Sequence, residues 1–363
     1  MRPCIAAVIA AGLLRFTGFL LPSVASPIFT WHFTLLFQSR PYEFTFMTAQ
    51  LIAAGLIVLV TAINCVGVRT AGHFQIFLTS LKVAAAVAIV ILGVTLGGLG
   101  GIHYTLITWP VQDVSVGAIL VALVPAMTAY NGFQMLGPVG GEVSDPQRNI
   151  PRAAILGSLS VVTLYVLLNW TYFHVLGFSQ VAQSQYVASD AMARLIGNSG
   201  AKWVTVAMIV SAFGALHANF LTGPRVPFAM ACDGHFFAFA KRIHPAFHTP
   251  SSAVIFQGCI AILLVLTGTY QELYSLDMFA TWLFFALTAA ALIRLRAKEP
   301  DSPRPFRVWG YPWTPVVFGI AACAIAVNLW LVRPVRSSVG VAIILLGVPF
   351  FCRWRKRASA QAN

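Results

Sequence analysis

Charge is what this chain has least of. Lysine, arginine, aspartate and glutamate together make up 9% of its 363 residues, and only 10 residues are acidic. So few polar groups cannot cover a water-exposed surface, which excludes a soluble globular protein. No stretch between the apolar runs is long or polar enough to bury a core of its own, which excludes a separate soluble domain. Cysteine is equally sparse in pattern: Cys4, Cys65, Cys232, Cys259, Cys323 and Cys352 show neither CxxC spacing nor a paired framework, so a disulfide scaffold is excluded and reduced packing residues are expected. His244 and His248 have no acidic or cysteine companions, so neither a metal site nor a cofactor is expected. The opening run carries Arg15 and no cleavage-site pattern, unlike a secretory leader.

What is present is apolar. Hydrophobic residues reach 58% and the mean hydropathy is +0.81, the composition of an all-α polytopic membrane protein. About ten runs approach the roughly 20 residues that cross a bilayer core: 4–22, 44–66, 75–97, 114–141, 152–176, 201–231, 252–268, 274–294, 314–332 and 335–352. The stretch 21–38 is apolar enough to lengthen the first, despite Pro22 and Pro27. Residues 1–352 therefore read as one transmembrane domain and 353–363 as a basic tail.

The formal net charge of +13 does not point to nucleic acid, because the basic residues sit in short clusters beside apolar segments, where they read as topology signals and headgroup contacts. One set of connections holds Arg69, Arg148, Arg152, Lys241, Arg242, the run from Arg294 to Arg307, and the tail from Arg353 to Arg357. The opposite set holds only Arg40, Arg194, Lys202, Arg333 and Arg336. The richer side is expected to be cytoplasmic, which puts the C-terminus there. Trp31, Trp109, Trp203, Trp309 and Trp330 stand near span ends and read as interfacial anchors.

Three constellations carry chemistry. Lys82 lies inside an apolar span, where a lysine costs about 2.5–3.5 kcal/mol on insertion scales and is functional by default; a lysine near the span end that snorkels to the headgroups is the alternative. Ser80 and Thr79 beside it raise a serine–lysine hydrolase as a reading from another class. The second constellation is the span Ala122–Glu142, broken by Pro125, Asn131, Gly132, Gly137 and Pro138. Proline removes helix hydrogen bonds and glycine permits unwinding, so freed amides could hold a carboxylate; the alternative is a kinked packing helix. The charged, proline-punctuated hinge Glu142–Arg152, with Asp145, Arg148 and Arg152, tips the balance toward a site. The third is the block Phe213–Phe228, in which Asn219 and Thr222 are pathway candidates, His217 reads as a hydrogen-bonded packing residue, and Arg225 is either a snorkelling or a gating residue.

These blocks, together with Arg2-Pro3 before Ile5–Ala10, Thr61–Arg69 running into Lys82, and Asp145–Arg152, resemble the amino acid-polyamine-organocation superfamily, close to bacterial homologues of the L-type amino acid transporters. The match in order and spacing covers about residues 1–250. The resemblance implies an inverted-repeat fold and a midplane site at a broken sixth helix, here Thr128, Ala129, Tyr130, Asn131, Gly132 and Phe133. It implies alternating access, an amino acid as substrate, a multi-pass place in the cytoplasmic membrane, and no enzymatic activity. Lys82 then stands where sodium binds in sodium-coupled relatives, implying sodium-independent exchange or proton coupling. Thr128 and Phe133 stand where relatives often carry phenylalanine and tryptophan. The resemblance also implies that the chain begins within the family's third helix, lacking the first two and half of the site; a ten-helix form would need a partner subunit or a different architecture. A polyamine or amine permease and a non-transporting remnant are the remaining alternatives.

Overall fold

A computed structural model describes residues 2–33, 42–66, 68–97, 117, 119, 122–123, 126, 129–268, 270–304 and 306–362. Eight helices among them are long and apolar enough to cross a membrane, and Ser251–Thr267 is a shorter apolar helix. Helices follow the apolar runs because a bilayer offers no partner for backbone N–H and C=O groups, so each segment must satisfy its own.

The central element is α1 (Arg2–Leu20), whose buried residues Cys4, Ala6, Ala7, Ala10, Leu13 and Leu14 recur at helical spacing. Three of the six are alanine, and small residues let neighbouring backbones approach closely. Against α1 pack α2 (Thr48–Val66) and, later in the chain, α6 (Val187–Thr222), α8 (Ser251–Thr267) and α9 (Tyr270–Lys298). Leu216 and Phe220 of α6, Val254 and Val265 of α8, and Leu273 of α9 complete this core.

The stretch expected to lengthen the first span does not do so. After Leu20 the chain makes a 3-10 turn at Pro22–Ala25, with proline in its first turn. It then enters an antiparallel hairpin of β1 (Pro27–Phe33) and β2 (Tyr42–Met47), with Phe29 opposite Phe46 and Thr30 opposite Thr45. Proline cannot continue the helix, and the aromatic and β-branched residues of both segments favour a pleated ladder. The second span consequently starts at Thr48, not 44.

Helix α3 (Val68–Gly97) runs for 30 residues and packs on α6 and on α4 (Pro146–Leu176). Its contact stripe holds Leu78, against Gly214 of α6, then Ile89, and then Gly93 and Gly97 toward α4. A Cβ on Gly93 would stand 2.1 Å from Thr171 Cγ2, so α4 reaches α3 only across a bare backbone. Gly93→Val is therefore expected to lower the melting temperature of the purified protein by several degrees, the overpacking cost being about 1–3 kcal/mol. An unchanged melting temperature would mean that the two helices are free to separate.

Helix α6 continues through a kink at Ile196 and Gly197 and ends at Thr222, after which Gly223-Pro224 separate it from α7 (Arg225–Cys232). Between α4 and α6 lies the short α5 (Phe178–Gln183). The last two helices, α10 (Trp313–Val332) and α11 (Pro334–Ala362), pack on α9. Met278, Phe279, Trp282, Ala322 and Ile325 form the core there.

Candidate functional site

The predicted break is present. Ala129 is helical, the chain turns at Tyr130–Gly132, and it proceeds through 3-10 turns at Phe133–Leu136 and Gly140–Glu142 to reach α4. Gly132 has φ +146°, a conformation that side-chain-bearing residues rarely adopt. Gln134 closes the break on itself: its Nε2 donates to Asn131 Oδ1 (2.6 Å), and its Oε1 accepts from the Gly132 N–H (2.9 Å). Sequence reasoning passed over Gln134, because nothing in its spacing distinguishes it from an ordinary helical glutamine.

The surrounding helices hold the break at several points. The Tyr165 hydroxyl of α4 donates to the Ala129 carbonyl (3.1 Å), and the Tyr165 and Tyr130 rings meet edge to face at 5.3 Å. Phe133 lies 5.5 Å from Phe285 of α9. Met135 is the junction: its sulfur accepts from the Thr222 hydroxyl (3.1 Å) and from the Arg2 guanidinium. The break therefore touches α1, α4, α6 and α9 at once.

Of the residues expected in the site, Tyr130, Asn131, Gly132 and Phe133 lie in the break and Ala129 is the helical residue just before it, while Thr128 and Pro125 fall outside the described residues. Thr222 reaches the break through Met135. Asn219 is buried but turned toward α8, where Gln257 Nε2 donates to its Oδ1 (2.9 Å). The Asn219 Nδ2 is left without a partner among the described residues. His217 packs as expected, its Nδ1 donating to Gln75 Oε1 (3.1 Å) and its ring edge meeting Phe74 at 5.4 Å.

Lys82 forms no hydrogen bond or ion pair with the break among the described residues. It lies one turn beyond Leu78, on the stripe that faces α6, and is half-buried. It also sits half-way along a 30-residue helix, about 20 Å from either end at roughly 1.5 Å per residue. Ser80 is exposed on a different face, since residues two apart on a helix do not face each other. A serine–lysine dyad is thus not assembled.

At the hinge, Asp145 adopts a left-handed conformation (φ 47°, ψ 61°) just before α4. Its carbonyl accepts from the Arg148 and Asn149 N–H groups at 3.1 and 3.0 Å. Asn149 Nδ2 donates to the Ser144 carbonyl at 2.6 Å. The turn is thus built from backbone and amide groups, with Glu142 closing the preceding 3-10 turn. Arg148 and Arg152 are exposed and form no ion pair among the described residues. Pro146 and Ile150 face Arg296, Glu299 and Arg304 across a cleft of about 610 Å³.

A second ionisable group escaped the sequence reading. Asp277 of α9 is 3% exposed, with Oδ1 unpartnered among the described residues, and it interacts electrostatically with Arg2 of α1. Thr281, one turn on, has an equally unpartnered buried hydroxyl. The signal was available, because an acidic residue inside an apolar run is the same anomaly that singles out Lys82. Among the described residues no group of three histidine, cysteine or acidic side chains is placed to hold a metal ion.

Known proteins share this sequence pattern. The model of the amino acid permease family matches residues 2–351. The chain is 28% identical over 310 residues to the serine/threonine exchanger SteT of Bacillus subtilis (strain 168), covering 84% of this chain and 69% of that protein. It is 32% identical over 263 residues to the b(0,+)-type amino acid transporter 1 of Oryctolagus cuniculus, covering 72% of this chain and 54% of that one. To the cystine/glutamate transporter of Homo sapiens it is 32% identical over 316 residues, with 86% and 62% covered. The chain thus spans between about half and seven-tenths of the length of these relatives.

Proposed function

The chain belongs to the amino acid permease family, and from that premise we propose that it is a secondary transporter that exchanges amino acids across the cytoplasmic membrane by alternating access. The observation that carries this reading is the break at Tyr130–Leu136, set among four helices. At membrane depth, irregular backbone is tolerated only where protein buries it or it lines a water-filled cavity; Tyr130, Gly132 and Phe133 are exposed, as residues lining an open pathway would be, and discontinuous helices are how transporters bind solutes. Thr128–Phe133 would meet the ammonium and carboxylate of the substrate. Lys82 would supply a fixed cation or carry a proton, making transport independent of sodium, and Asn219 and Thr222 would line the pathway. Glu142, Asp145, Arg148 and Arg152 would form the cytoplasmic hinge about which the broken helix and α4 move. Substrate held at the break would favour one access state, and rocking would open it to the other face. The names of the relatives support amino acids as the substrate class and, for the serine/threonine exchanger, exchange as the mode.

Radiolabelled serine uptake into proteoliposomes tests the reading, with and without internal amino acid. Uptake accelerated by internal substrate is expected. Asn131→Pro removes an N–H and drives Tyr130 out of the helical region, so its KM should rise about tenfold. A KM equal to that of the parent protein would place the substrate elsewhere.

A further inference from the structure

The end of the bundle that carries the hairpin holds a second cavity, of about 710 Å³, lined by α1, β2, α2, the facing ends of α8 and α9 and Tyr186, and open to the surface where Arg15 and Phe19 are exposed. Two of its walls are tied by hydrogen bonds from polar side chains of the lining. Gln50 donates its Nε2 hydrogens to the carbonyls of Val265 (3.1 Å) and Leu266 (3.3 Å) and accepts the Met47 N–H (2.9 Å). The Tyr186 hydroxyl donates to the Arg15 carbonyl (3.3 Å), and its ring lies 5.3 Å from Phe19.

The charged residue of the lining is Arg15, beside Thr45 and Tyr270. The Arg15 guanidinium stands 5.3 Å over the Tyr270 ring, and Arg15 forms no ion pair among the described residues. No residue lining the cavity is acidic. A cation over an aromatic face is attracted by the ring without using its N–H groups, and the guanidinium's planar fork of donors matches a carboxylate bidentately. The volume is within the roughly 300–1,000 Å³ of small-molecule sites. Leu14, Phe19, Met47 and Val265 line the remainder.

We propose that this cavity binds a carboxylate carried on a compact apolar body, with Arg15 as its anchor. Two sources share that chemistry, a free apolar amino acid and a medium-chain fatty acid. With no acidic residue to meet an ammonium, the cavity suits the fatty acid better. The site is separate from the break, so its failure would leave the transport reading intact.

Isothermal titration of the purified chain in detergent with octanoate, octanol and leucine tests the proposal. Octanoate should bind, octanol should bind at least tenfold more weakly, and Arg15→Gln should weaken octanoate at least tenfold. Arg15→Lys keeps the charge but loses the fork and should fall between. Displacement of octanoate by leucine in the parent protein would identify the amino acid as the natural source, and octanoate binding indifferent to leucine would identify the fatty acid. Octanol binding as tightly as octanoate, Arg15→Gln titrating like the parent, or no octanoate binding would overturn the proposal. The octanol comparison needs no variant, so it stands even if Arg15→Gln does not fold.

Discussion

Lys82→Ala is expected to reduce amino acid exchange in proteoliposomes to less than a tenth of the parent rate while leaving the protein at least as stable. The two halves of that expectation have one cause. A lysine midway along α3 costs about 2.5–3.5 kcal/mol to place in the membrane, and no ion pair among the described residues offsets it. Removing it should relieve that cost, so the melting temperature in detergent should hold or rise. A residue that destabilises its own helix and sits on the face that packs against α6 is expected to act through its charge. Lys82→Arg separates the alternatives: a fixed cation predicts partial exchange in the arginine variant, whereas a proton carrier predicts none, because arginine does not deprotonate. Full exchange in Lys82→Ala would make the lysine dispensable.

Gly132→Val should have the other large effect. Gly132 sits at φ +146°, ψ −25°, where a β-branched residue meets steric strain of about 1–3 kcal/mol. The backbone would relieve it by rotating toward ordinary helix. That rotation carries the Gly132 N–H away from Gln134 Oε1 and re-aims the carbonyl that now accepts from the Met135 N–H. If the break is the substrate site, the KM for uptake should rise at least tenfold, and Gly132→Ala should fall between valine and the parent. Equal KM values across the three would show that the break serves packing alone.

The parts of this molecule that were legible in the sequence are those whose cause is local. Long apolar runs become helices because the bilayer leaves the backbone no alternative, and nine of the ten expected spans correspond to described helices. The tenth, 114–141, falls largely outside the described residues or in the break itself. The break was legible because proline and glycine act on their own neighbours. The hairpin at 27–47 was misread, since its strands are as apolar as a span and hydropathy alone does not separate strand from helix.

The chain by itself determined the class of protein, the helical runs, the position of the break and the anomaly of Lys82, all set by composition or by residues a few positions apart. Only the tertiary structure decided what meets the break. Met135 joins Arg2 and Thr222 across 133 and 87 positions of sequence, Gln257 claims Asn219 across 38, and Arg2 acts electrostatically on Asp277. Such pairs arise where separate helices pack against one another, and no local propensity encodes which faces will meet.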